Sequence, residues 1–162
     1  MRGSPHNGDE RLLHYASERV EQLRPCNYIQ RPDFKPNGLW LSADDDWRRW
    51  CEGENFHLGG LAYCHEVTLA RDAKILRLRD ARDIDRFTAR YWAELPALPY
   101  LSIWIDWRKV AQKYQGIIIA PYCWSRRLEE KTRWYYGWDC ASGCVWDLAA
   151  IESIMEIGVT LK

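Results

Sequence analysis

Apolar positions in this chain come in short runs separated by charged or proline-bearing stretches. Leu12 to Tyr15 (LLHY) predicts a first strand. Residues 16–24 fit a turn of helix. Residues 25–37 hold Pro25, Pro32 and Pro36 and predict an irregular loop. The charges there (Arg24, Arg31, Asp33 and Lys35) suit solvent or a polar ligand. Gly38-Leu-Trp-Leu-Ser42 reads as a second strand. Asp44, Asp45 and Asp46 then favour a helix N-terminus, with Trp47 and Trp50 on one face three residues apart. Residues 61–70 and 74–78 read as strands, the first with Tyr63 and His65 on one side and Cys64 and Glu66 on the other. Asp80 is placed to cap a helix over 81–94, with Ile84, Phe87 and Tyr91 as its apolar stripe and Pro96 and Pro99 closing it.

Residues 105–114 predict a second amphipathic helix with Trp107, Val110, Ala111 and Tyr114 on one face. Residues 117–120 (IIIA) lack polar alternation and predict a strand buried on both faces. Residues 123–133 carry Arg126, Arg127, Lys131 and Arg133 and read as a charged loop or helix with a solvated face. Residues 151–161 end the chain with apolar alternation. Six or seven short strands with two or three helices make an α+β fold. Residues 1–9 read as a disordered lead and 10–162 as a single domain.

Composition narrows the function. Lys+Arg and Asp+Glu are both 23, which excludes whole-chain attraction to nucleic acid or an anionic membrane and leaves only local patches. No run of about 18 apolar residues occurs, so no membrane span is expected. Ten tryptophans and nine tyrosines exceed what a Leu/Ile/Val core needs, so part of that load is expected to face a ligand or partner. The six cysteines follow a polar opening, MRGSPHNGDER, with no signal segment, which predicts a cytoplasmic protein with reduced thiols. Cys140 and Cys144 are four apart, with His57, Cys64 and His65 upstream. No C-x2-C pair accompanies them, and no metal site is expected.

The densest chemistry lies in Trp134–Asp147, WYYGWDCASGCVWD. Read alone, it is a tryptophan-rich strand pair with a turn between, and Asp139 is a turn residue bonding its own backbone. His14 alone reads as a satisfied buried histidine, Trp47 as core, and Ser42 as a helix N-cap.

Taken in order, however, the segments look like a set. They are His14-Tyr15 on a strand, Gly38–Ser42 running into an Asp-rich helix start, the strand from Tyr63, the buried strand 117–120, and Asp139-Cys-Ala-Ser-Gly-Cys-Val-Trp-Asp-Leu148. This order resembles small bacterial and phage proteins of the ADP-ribosyltransferase fold, its histidine-bearing branch and the phage anti-CRISPR ADP-ribosyltransferases, over residues 11–148. The resemblance implies a split β-sheet core with flanking helices and NAD as co-substrate. It also implies mono-ADP-ribosyl transfer to a macromolecular acceptor, a protein before a nucleic acid, by a phage or toxin effector in the host cytoplasm.

By the same resemblance His14 and Tyr15 bind the cofactor, with His14 on a ribose hydroxyl. Ser42 lies beside the nicotinamide, Trp47 stacks on it, and Asp139 is the catalytic acid. The chain departs from the family in carrying Asp where Glu is usual, so Glu66, Asp147 and Glu152 stand as rival acids. Arg11, Arg24, Arg31 and Arg133 are candidate pyrophosphate donors. A different class remains open: a non-catalytic module gripping a protein through aromatic side chains. A third option is a nucleic-acid binder using the 126–133 cations with Trp124 and Trp134.

Overall fold

The apolar runs become strands that meet in one sheet. The computed structural model describes residues 9–94 and 104–159. Its first half runs β1 (Leu12–Ala16), β2 (Pro32–Asp33), β3 (Leu39–Ala43), α1 (Asp46–Glu54), β4 (Tyr63–Leu69), β5 (Ile75–Leu78) and α2 (Ala81–Tyr91). Its second half runs β6 (Trp92–Ala93), β7 (Trp104–Asp106), α3 (Trp107–Ala111), β8 (Gly116–Ile119), α4 (Trp124–Arg127), a 3-10 segment (Glu130–Gly137), β9 (Ser142–Val145) and β10 (Ile151–Val159). The fold is α+β. Seven strands form a mixed sheet in the order β10-β4-β1-β3-β9-β8-β5, and β2, β7 and β6 form a small second sheet. Only β5 and β8 pair parallel within the large sheet.

The continuous apolar run of β8 has a direct cause. Ile117 and Ile119 enter a core with Phe87, Trp107, Trp134 and Trp138. Ile118, alternating to the other face, enters a second core with Leu12, Leu41 and Val67. Both faces of this strand are covered, so no position along it is polar. β9 packs so closely on β8 that Gly143 has no room for a side chain. A Cβ there would lie 2.7 Å from the Ile117 carbonyl oxygen and 2.8 Å from Ile118 Cγ1. Gly143→Ala is expected to cost about 1–3 kcal/mol by forcing the strands apart. A urea midpoint equal to that of the parent would contradict this close approach.

Several elements differ from the sequence-based expectation. Residues 16–24 contain no helix. The proline-bearing loop contributes the two-residue β2, which pairs with β7. Asp80 does cap α2, accepting from the Asp83 amide at 2.9 Å, and Ile84, Phe87 and Tyr91 are buried. The helix stops at Tyr91 rather than 94, because Trp92 and Ala93 pair with β7. Pro96 and Pro99 lie outside the described residues, as do residues 1–8 of the lead and 160–161 of the tail.

The helix expected over 105–114 begins only at Trp107, since residues 104–106 are the central strand of the small sheet. Asp106 makes the switch, its carboxylate accepting from the Arg108 amide at 3.2 Å. The segment Trp134–Asp147 is not a strand pair. Its first part belongs to the 3-10 segment, which buries Trp134 and Tyr135, and only Ser142–Val145 is strand. Residues 123–133 split between α4 and that 3-10 segment, and Arg126 pairs with Asp85 at 2.7 Å instead of facing solvent alone. No helix among the described residues is long and apolar enough to cross a membrane.

Candidate active site

Strand order decides what meets in space. β1, β3 and β9 are adjacent, with Leu13 opposite Ser42 and Ser42 opposite Ser142. Segments over a hundred residues apart in sequence therefore share one end of the sheet. A cavity of about 280 Å³ opens there. β1 contributes Leu13, His14 and Tyr15, β3 contributes Trp40, Leu41 and Ser42, and α1 contributes Trp47. Lys35, the turn bearing His57 and Gly60, and the stretch Trp138, Asp139, Cys140 and Ser142 complete the lining. All five residues singled out from sequence, His14, Tyr15, Ser42, Trp47 and Asp139, line this one cavity.

His14 is held from two sides. Its Nδ1 donates to the Trp40 carbonyl at 2.9 Å. The fully buried His65 accepts from the Val20 amide at 3.0 Å, so its own proton sits on Nδ1 and is donated to the His14 carbonyl at 3.2 Å. With Nδ1 of His14 committed, Nε2 has no hydrogen-bond partner among the described residues and can accept from a ligand hydroxyl. Burial, and then the neighbouring His65, lower the His14 pKa against the pull of the Trp40 carbonyl. The stability consequence has a definite sign. Above the ordinary value of 6.5 both native and unfolded chains hold His14 neutral. As pH falls through 6.5 the unfolded chain takes the proton first, so stability is lost down to the lower native value. The melting temperature is expected to fall on acidification through that window, and His14→Gln, which keeps a donor for Trp40, is expected to flatten the fall. An equally steep fall in His14→Gln would exclude His14 as its source.

Ser42 serves the helix start. Its hydroxyl accepts from the Trp47 amide at 3.0 Å and donates to the Asp44 carbonyl at 2.8 Å. Ser42 is not the N-cap residue, which is Asp45; it lies on β3 and reaches the helix start from there, so its hydroxyl holds the amide of Trp47 while the residue also lines the cavity. Trp47 stacks on Trp50 at 5.3 Å, with Phe56 edge-on to both rings. Trp40 and Trp138, also in the lining, meet edge to face at 4.9 Å. Tyr15 is pushed up by burial and stays a neutral phenol. Cys140 is pushed up to about 12, chiefly by burial and then by Asp46 and Asp139, so its thiol is no nucleophile at neutral pH.

Asp139 accepts no backbone hydrogen bond among the described residues, so the turn role suggested by its sequence context is not what holds it. Its Oδ1 faces Arg127 Nη2 at 3.7 Å, and its side chain is 24% exposed. The rival acids sit elsewhere. Glu66 is bound by both nitrogens of the Arg11 fork at 3.1 Å. Asp147 caps a 3-10 turn and accepts from Gln115 at 2.9 Å. Glu152 is exposed on β10. None of the three lines the cavity.

Nor do the arginines considered for pyrophosphate: Arg11, Arg24, Arg31 and Arg133 are outside the lining, and Lys35 is the basic side chain within it. Its Nζ lies 5.4 Å from the Trp40 ring centre. The charges of the proline-bearing loop were the available signal for it. His57 and Gly60 carried no sequence signal of this kind. A Cβ on Gly60 would lie 2.3 Å from the His57 ring, so glycine there makes room for the imidazole in the cavity lining. Among the described residues no group of three His, Cys, Asp or Glu side chains is placed to hold a metal ion. The six cysteines are all free.

No protein-family model matches this chain, and neither a curated protein nor a solved structure matches it.

Proposed function

We propose that the protein is an NAD-dependent mono-ADP-ribosyltransferase acting on a macromolecular acceptor, on an ADP-ribosyltransferase-like sheet. The observation that carries this reading is the convergence of His14, Tyr15, Ser42, Trp47 and Asp139 on one cavity from two strands, a helix and a loop. A volume of about 280 Å³ is at the small end of ligand sites, which run to roughly 300–1,000 Å³. It suits nicotinamide with its ribose, leaving the adenosine half to lie along the open mouth.

The residues fit the reaction. Cleaving the bond between nicotinamide and ribose C1′ sends the bonding electrons out with nicotinamide and leaves positive charge on the sugar, as in glycoside cleavage. A carboxylate beside that sugar stabilises the developing charge more than it stabilises the ground state, which lowers the barrier. Asp139 supplies it. Trp40 and Trp47 offer aromatic surface to the flat cationic ring, an interaction worth roughly 0.5–2 kcal/mol for each well-placed face, with the buried Trp138 packed behind Trp40. The open Nε2 of His14 accepts from a ribose hydroxyl, and Lys35 meets the pyrophosphate. An acceptor nucleophile then bonds to C1′ and releases its proton to water. The zero net charge favours a protein acceptor over a nucleic acid. Trp134 is fully buried and cannot stack on a base, which weakens the nucleic-acid reading further.

The test is incubation with NAD labelled in its adenosine half, alone and with a cell lysate. Label on a macromolecule, or release of nicotinamide, supports the reading; intact NAD in both refutes it. A second reading, a non-catalytic module, draws on Trp124 at 70% and Tyr136 at 53% exposure, aromatic surface suited to a protein partner. Tryptophan fluorescence separates the two. Quenching by NAD, through Trp40 and Trp47, favours the enzyme, and an unchanged spectrum favours the module.

A further inference from the structure

We infer that Arg127 and Tyr122 form a clamp that positions the Asp139 carboxylate in the cavity. The inference rests on the transferase reading and adds to it two residues outside the cavity lining. The clamp grips Asp139 at two points. Tyr122 Oη donates to the carbonyl of Trp138 at 2.5 Å, fixing the peptide that leads into Asp139. Arg127 Nη1 donates to the same Tyr122 oxygen at 3.3 Å, while its Nη2 faces the Asp139 carboxylate at 3.7 Å. One guanidinium therefore spans a group that holds the backbone and the side chain that backbone carries.

The clamp is itself held. The Arg127 guanidinium lies 5.2 Å from the Tyr136 ring centre and 5.9 Å from that of Trp124. The amide of Cys123, next to Tyr122, donates to Tyr135 Oη at 3.0 Å, and the two tyrosine rings stack at 5.2 Å. Residues 122–127 are thereby tied to the segment 135–139 at several points. The side chains of Arg127 and Asp139 are 21% and 24% exposed, so their attraction is screened less than that of a surface pair. Arg127 does not line the cavity, so it acts through Asp139 and is a positioning residue. Misplacing a reacting group by about 1 Å costs roughly a hundredfold in rate, and that is what the clamp prevents.

The experiment measures nicotinamide release by the full chain with Arg127→Gln, Arg127→Lys, Tyr122→Phe and the double variant Arg127→Gln/Tyr122→Phe. Arg127→Gln is expected to lower kcat by about ten- to a hundredfold with KM for NAD and the melting temperature little changed. Arg127→Lys restores the charge without the fork and is expected to recover part of kcat. Because the two residues act as one unit, the double variant is expected to be about as slow as the slower single. A parent-like kcat in Arg127→Gln, a loss confined to KM, or equal losses in Gln and Lys that track melting temperature would each overturn the clamp. A parent protein that leaves NAD intact would overturn the transferase reading, and the clamp with it. An active parent with an unaltered Arg127→Gln would overturn the clamp alone.

Discussion

Asp139→Asn is expected to slow nicotinamide release by about 10²–10³-fold while NAD affinity stays close to that of the parent. Asparagine keeps the size and planarity of the side chain and removes its charge. The lost interaction is the one that grows as positive charge builds on the ribose, so the loss falls on kcat. Binding changes little because the aromatic walls and His14 remain in place. The other acids provide the control. Glu66 is spent on Arg11 and Asp147 on Gln115, so Glu66→Gln and Asp147→Asn are expected to leave the rate near that of the parent. Nicotinamide quantified at saturating NAD is the readout. An Asp139→Asn protein as fast as its parent would remove this carboxylate from the chemistry.

Trp134→Ala is expected to lower stability by about 3–5 kcal/mol. The indole is fully buried, with Phe87 at 5.3 Å, Trp107 at 6.1 Å and Trp138 at 6.2 Å between ring centres. Its Nε1 donates to Thr88 Oγ1 at 2.8 Å, and that hydroxyl donates to the Ile84 carbonyl at 2.8 Å. Alanine leaves a void among rings that cannot collapse together and strands a buried acceptor on Thr88. Trp134→Phe refills most of the void without the donor and is expected to recover part of the loss. Denaturant unfolding measures both. A loss under about 1 kcal/mol in the alanine variant, the size of an ordinary surface change, would contradict this packing. Trp138 lies between Trp134 and the cavity, so the same substitution loosens the wall that Asp139 follows.

The sequence made some of this legible and hid the rest for physical reasons. The short apolar run before His14 became strand, and runs whose burial pattern matches one period were readable: the all-apolar β8 and the stripe of α2 behind its Asp80 cap. Elements fixed by distant partners were not. Trp92 and Ala93 leave the helix because β7 pairs with them, and Ile105 is strand because it lies between Asp33 and Trp92. The aromatic run 134–136 has the composition of a strand. It folds as a 3-10 segment because its rings fill the space beside α2.

The site divided in the same way. His14, Ser42, Trp47 and Asp139 could be picked out in order along the chain, but only the β1-β3-β9 adjacency brings them together. His57 reaches the cavity through a left-handed backbone, at φ 49°, and through the missing side chain of Gly60. Neither is visible as a pattern of residue types. Arg127 looked like one cation in a solvated run, and its role depends on Tyr122 and Asp139 meeting it from two other segments.

Calorimetric titration of the parent and of His14→Ala with NAD puts the central claim to its most direct test. A cavity built for NAD gives saturable one-to-one binding to the parent and a clear loss of affinity in His14→Ala, whose folding is checked by its melting temperature. No heat of binding to the folded parent, or affinity untouched by the loss of His14, would contradict the assignment of this cavity to NAD.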